Sequence, residues 1–166
     1  MTKRIFNTVL ALVVALGSWH LYHFSDKEVI KRQLFQLISE INKEEMHEPT
    51  ITMALKMKNI KEVIAKSCLV TIPERDYSKE MEPDLIIQYL IYHRDRFNLF
   101  TITFEDLIIA LPAKEQAAVQ STIRLRSQHR AEEKPSEESH RIELTLVKGD
   151  ERWIVNKITI PESLMH

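Results

Sequence analysis

A chain of 166 residues, 44 % hydrophobic and 28 % charged, suits one globular domain and is too apolar for a disordered one. Its formal net charge of −1, with no basic stripe interleaved with aromatics, gives no pull toward nucleic acid. Gly17 and Gly149 are the two glycines, which excludes a P-loop or a Rossmann phosphate cradle, and Cys68 alone builds neither a disulfide framework nor a multi-cysteine zinc site.

The first segment, "MTKRIFNTVLALVVALGSWHLYHF", places Lys3 and Arg4 before an apolar run that ends in Trp19, Tyr22 and Phe24. Basic residues ahead of an apolar core keep the N-terminus in the cytoplasm and export the rest of the chain. Two readings compete. Ile5 to Phe24 has the ~20 residues a bilayer span needs, with aromatics at its outer end. The shorter core from Val9 to Leu16, with the small-x-small step Ala15-Leu16-Gly17 at its end, fits a cleaved signal peptide. The division expected is therefore an anchor or leader over 1–24 and a folded domain over 25–166. The domain works in the periplasm or another extracytoplasmic space, either tethered to the inner membrane or released after cleavage.

Ser25-Asp26-Lys27-Glu28 has the form of a capping box and predicts a helix start. Ile30, Leu34, Leu37, Ile38 and Ile41 then recur at three- and four-residue steps, which gives the helix one buried stripe. Pro49 breaks the chain. A second helix is predicted from about Thr50, with Ala54, Leu55, Met57, Ile60, Val63 and Ile64 turned inward. "CLVTI" reads as a short strand and "ERDYSKEM" as a polar loop. Glu82-Pro83-Asp84 opens a third helix, with Pro in the first turn and acids near the positive end of the dipole. Its predicted inner stripe is Ile86, Tyr89, Leu90, His93 and Phe97.

From there the pattern is β. "FNLFTITF" sets Phe100, Ile102 and Phe104 on one face, and "LIIALP" continues it, with Glu105-Asp106 as the place for a bulge. "AAVQSTIRLRS" alternates, Val119, Ile123 and Leu125 facing in. "HRAEEKPSEES" is a charged loop. "RIELTLVKGDERWIVNKITI" forms a hairpin about Gly149-Asp150. Its first strand turns Ile142, Leu144 and Leu146 to one side. In its second strand Ile154, Ile158 and Ile160 share one face, while Trp153, Val155 and Thr159 share the other. The fold class is α+β: three helices packed on a curved, mainly antiparallel sheet.

This element order, and the closing "LTLVKGDERWIVNKITI" in particular, resembles the nuclear transport factor 2-like superfamily with its cystatin-like cone, over roughly Asp26 to Ile160. It looks most like uncharacterised bacterial members with an N-terminal membrane segment. The resemblance implies a cone whose open end can hold a small molecule. It also implies a choice between enzymes such as isomerases and dehydratases and non-catalytic transport or assembly domains. Fold alone does not decide between them.

Tyr89 and His93 on the third helix, Phe104 on the first long strand and Asp106 beyond it are the pocket candidates. An imidazole or a buried carboxylate in an apolar pocket could serve as a base. Against this, His93 near a helix C-terminus is commonly a dipole-stabilised structural residue, Tyr89 a core aromatic, and Asp106 turns to solvent if a bulge precedes it. No second group completes a dyad, so no catalytic residue is assigned. No cofactor is implied. No metal site is implied either: His20 and His23 are the one close pair among the seven histidines, and they lie in the N-terminal segment. Trp153 and Val155, placed on the outer sheet face, would form an apolar patch suited to a homodimer or a protein partner. The leading expectation is a non-catalytic, membrane-tethered interaction domain that self-associates through its sheet. A domain binding a small apolar ligand, and an enzyme using His93 or Asp106, are the alternatives.

Overall fold

The computed structural model describes residues 25–165; the expected membrane segment, 1–24, lies outside the described residues. Helix α1 spans Asp26–Ile41 and begins as the sequence predicts: Ser25 is its N-cap, and the Ser25 hydroxyl accepts the Glu28 amide at 3.4 Å. Ile30 and Leu34 on its stripe are fully buried, each removal from water contributing about 1.5–3 kcal/mol. Helix α2 covers Thr50–Lys61 and helix α3 covers Pro83–Asp95, with Pro83 in the first turn.

Six strands form one mixed sheet in the order β2-β1-β6-β5-β4-β3. They are β1 (Ile64–Ile72), β2 (Tyr77–Met81), β3 (Phe97–Ala113), β4 (Gln116–His129), β5 (Ser136–Lys148) and β6 (Trp153–Thr159). The last four run antiparallel as expected, and β1 joins β6 in parallel. The three helices pack on the concave face, and the core runs from α1 and α2 through the centre of the sheet. Among the described residues no helix is long and apolar enough to cross a membrane.

The structure corrects four expectations. First, "ERDYSKEM" is not a loop: a short 3-10 turn, with Asp76 in the left-handed region (φ 49°), leads into strand β2. This strand pairs with the free edge of β1 through five residue pairs from Cys68–Met81 to Ile72–Tyr77. Only Met81 of β2 is buried, so the strand carries almost no apolar signal. Second, the strand read at "CLVTI" starts earlier, at Ile64, so Val63 and Ile64 are buried outside the second helix, and Ala54 and Leu55 are exposed.

Third, α3 is turned by about one residue from its predicted stripe. Ile87 and Arg94 are its buried positions, and Tyr89 is exposed. Fourth, Trp153 and Val155 are core residues, not an outer patch. Trp153 is only 1 % exposed and Val155 is buried with it. The cause is a register shift in β6: Thr145 pairs with Lys157 but Leu146 pairs with Val155, which leaves Asn156 bulged. One extra residue inverts the phase, so Val155 and Ile158 both meet the core from opposite sides of the bulge.

The β5–β6 turn needs its glycine. The Gly149 amide donates to the Arg152 carbonyl, and a Cβ at 149 would lie 2.9 Å from that same oxygen.

Candidate functional site

The place where this architecture would hold a ligand is the space between the helices and the concave sheet face. Its floor is read from the register. One row across the strands is Ile109, Val119, Leu144 and Ile158; the next is Ala117, Leu146, Val155 and Ile64. Both rows are apolar throughout. Trp153 fills the end of the floor beneath α1, and Gln33 fixes it there: the Gln33 amide donates to the Trp153 carbonyl and accepts its N–H at 3.1 Å. Met57 and Ile60 of α2 close the space from above. Phe104 stands at the rim, edge-on to the exposed Phe35 at 5.4 Å.

The pocket candidates do not converge. Tyr89, 49 % exposed, lies on the outer side of α3. His93 is half-buried on the same helix, with Tyr92 edge-on at 5.8 Å. Burial, and then the charge of Arg96, hold the His93 imidazole below its usual range, so it is neutral at pH 7. Asp106 is exposed: a register shift between Phe104 and Asp106 turns it away from the Phe104 face. Its carbonyl accepts the hydroxyl of buried Ser121, which ties down the bulge. Only Phe104 faces the interior.

The outer sheet face is polar. Arg124 pairs with Glu105, which also accepts the Ser139 hydroxyl, and Arg126 faces Glu137. Gln120 bonds Glu143 and accepts from Arg141. On β4 and β5, beside the strand where self-association was expected, this face is a solvated lattice of charges.

Buried charges gather elsewhere, where α2 and α3 meet the loop between α1 and α2. Arg94, 2 % exposed, donates to Glu48 at 2.8 Å and to the Asn42 carbonyl at 3.2 Å. Lys56 holds the other Glu48 oxygen at 2.7 Å and the same Asn42 carbonyl at 3.0 Å. Burial pushes the Glu48 carboxyl up, but its bonds to Lys56 and Arg94 and their charges outweigh that and leave it below the usual value. Nearby, the Asn42 side chain bonds both backbone groups of Ile102, and Lys43 pairs its backbone with Phe100 while its ammonium bonds the Phe97 carbonyl at 2.8 Å. A cleft of about 400 Å³ opens beside this network, lined by Ser39, Asn42, Glu44, Glu48, Thr52 and Lys56 among others. Its walls are polar, unlike those of the apolar pocket expected at the cone mouth.

A second buried polar group lies on β5. His140 bonds the Ser163 hydroxyl through Nδ1 and Glu138 through Nε2, each at 3.0 Å, and so fastens the C-terminal turn Glu162–Met165 to the sheet. His140 precedes Ile142, Leu144 and Leu146 on the same inward phase, so its burial could have been read from that alternation. Glu48 and Arg94 carried no comparable signal, because a charged residue reads as a solvent position. Among the described residues no group of three histidine, cysteine or carboxylate side chains could hold a metal ion.

No family model matches the chain, and no curated protein is significantly similar to it in sequence. Solved structures are similar to it. A protein of Novosphingobium aromaticivorans, provisionally described as a scytalone dehydratase, superposes with a TM-score of 0.65 at 14 % identity over 81 % of this chain and 82 % of its own. A nuclear transport factor 2-like protein of Cytophaga hutchinsonii gives 0.61 at 14 % identity, over 83 % and 98 %. A protein of Nostoc punctiforme with a cystatin-like fold gives 0.59 at 12 %, over 82 % and 90 %. The fold is the nuclear transport factor 2-like cone. At these identities the likeness is one of fold, and it leaves the chemistry to the side chains.

Proposed function

We propose that this protein is a non-catalytic interaction domain, held at the extracytoplasmic face of a membrane by its N-terminal segment. The observation that carries the reading is the apolar filling of the cone: Trp153, Leu146, Val119 and Cys68 occupy its floor, and Tyr89, His93 and Asp106 lie outside it. A catalytic site needs an acid or base within hydrogen-bond reach of a bound substrate, and the candidates do not share a space.

The working surface shifts from the sheet to α3. Tyr89 and Tyr92 share its outer side at 49 % and 63 % exposure, next to His93. Exposed tyrosines with a flanking imidazole suit a protein partner, since aromatic side chains anchor interfaces at low entropic cost. Site-specific photo-crosslinking in cells tests this. A photoreactive phenylalanine at position 92 should give one discrete protein adduct, and the same group at Gln120 on the outer sheet face should give none. Equal crosslinking at both positions, or none at either, contradicts the proposal.

The polar cleft beside Glu48 favours a second reading, a small-molecule binder. Its volume is within the usual range for ligand sites, and one structural neighbour is described as a dehydratase. On that reading the ligand is polar, because Glu44, Glu48, Thr52 and Lys56 would meet it.

A further inference from the structure

We propose that the tip of the β3–β4 hairpin, Ile108 to Lys114, is a lipid-contacting surface that lies in the membrane interface beside the exit of the N-terminal segment. The inference rests on the membrane-tethered reading of the protein. It begins with the lack of a linker: Phe24 ends the apolar segment, Ser25 caps α1, and the helix starts at Asp26. Two residues span at most about 7 Å, so whatever surrounds Asp26 is held close to the headgroups.

The hairpin tip is joined to Asp26 through Lys148. The Asp26 carboxylate bonds the Lys148 ammonium at 2.8 Å, and the Lys148 backbone amide donates to the Glu115 carbonyl at 2.9 Å. Glu115 is in the turn between β3 and β4, so the tip is linked to the start of α1 through one residue. That tip is apolar and exposed. Ile108 is 62 % and Leu111 38 % exposed, and Ala110, Pro112 and Ala113 are exposed with them. Strand β3 is also the last strand of the sheet, and the pairing with Lys43 that covers its edge lies at Phe100, well before the tip.

The charges around the tip select the kind of surface. Lys27, Lys114, Lys148 and Arg152 are offset by Asp26, Glu28, Glu115, Asp150 and Glu151. This end of the molecule has no excess of positive charge, so attraction to anionic headgroups is not what seats it. Apolar side chains entering the interface, with Lys114 reaching back to the headgroups, fit the composition. The contact is therefore insensitive to salt.

The test uses the full chain reconstituted in phosphatidylcholine vesicles, spin-labelled at Leu111→Cys or, as a control in the β4–β5 loop, at Lys134→Cys. Cys68 stays in place, since it is fully buried. Collision rates are measured with oxygen, which concentrates in the bilayer, and with a water-soluble nickel chelate. The proposal predicts a label at 111 open to oxygen and several-fold less open to the chelate than the label at 134, with no change on raising salt. If the chain resists carbonate extraction but the two labels meet the chelate equally, the tip proposal fails and the tether stands. If the chain is extracted, both fail. A label at 111 sheltered from oxygen and chelate alike overturns the lipid contact: spin–spin broadening would then point to a second copy, and its absence to the protein's own N-terminal segment.

Discussion

The concave centre of the sheet and the corner where α2, α3 and the α1–α2 loop meet bury their side chains by opposite means. The centre excludes water with apolar side chains in register, row after row, and Trp153 at one end. The corner buries the Arg94 guanidinium beside a half-buried carboxylate and ammonium, and pairs them with one another and with the Asn42 carbonyl, while Arg94 Nε is left without a partner among the described residues. The charged groups of the corner secure a loop, so the contrast is one between apolar packing and a polar network.

The difference between the two regions can be broken most directly at its apolar end. Trp153→Ala should cost about 3–5 kcal/mol, because the helices and sheet cannot collapse into so large a void. Urea denaturation reads the loss. If the cost is below about 1 kcal/mol, the centre is not close-packed and the contrast with the corner disappears. At the polar end, Glu48→Ala leaves Arg94 buried without its carboxylate and should cost about 3 kcal/mol. A change within a few tenths would mean that the corner is wet and that the Arg94–Glu48 pair is only a surface contact.

The corner and α3 together set a pH dependence. Glu48 titrates below its ordinary range in the fold, so the unfolded chain takes up its proton first. The stability it contributes is present above the unfolded value near 4.5 and is lost as pH falls through the folded value. The His93 imidazole is also held low, from a usual 6.5, and it acts with the same sign in a higher window. Below pH 6.5 the unfolded state protonates first and stability falls until the folded value is passed. Denaturation midpoints of His93→Gln should lose the upper of these two phases and keep the lower. The Cys68 thiol, pushed up to about 11 by burial, should resist maleimide at neutral pH until the chain unfolds.

The smallest effects belong to the surface. Tyr92→Ala and Asp106→Asn should each change stability by less than about 0.5 kcal/mol, as solvent-facing substitutions do. Tyr92→Ala should nevertheless weaken partner capture. A variant that unfolds the protein would place Tyr92 in the core and remove α3 as an interface.

Much of the fold was legible because local chemistry and tertiary packing agree. Ser25, Pro83 and the alternation of β4 and β5 each specify their element and its orientation. Three features were hidden, each for a physical reason. Strand β2 exists because β1 needs a partner along its edge, and its exposed side chains do not announce that. The bulge at Asn156 leaves no compositional mark, yet it inverts the faces of β6 and turned an expected interface into core. The stripe predicted for α3 leaves out Arg94, a charged residue that is nevertheless buried on the helix with Ile87 and bonded to Glu48, and Tyr89 lies outward. The same sensitivity turns Tyr89 and Asp106 outward, since a shift of one residue on a helix or strand moves every side chain in it.

Native mass spectrometry of the full chain, released from membranes in mild detergent, tests the filled cone most directly. The account predicts the bare mass of the polypeptide, alone or with a protein partner, and no small adduct at stoichiometric occupancy. An adduct of a few hundred daltons that survives in wild type and is lost in Trp153→Ala would show that the interior holds a ligand. That result would contradict the account.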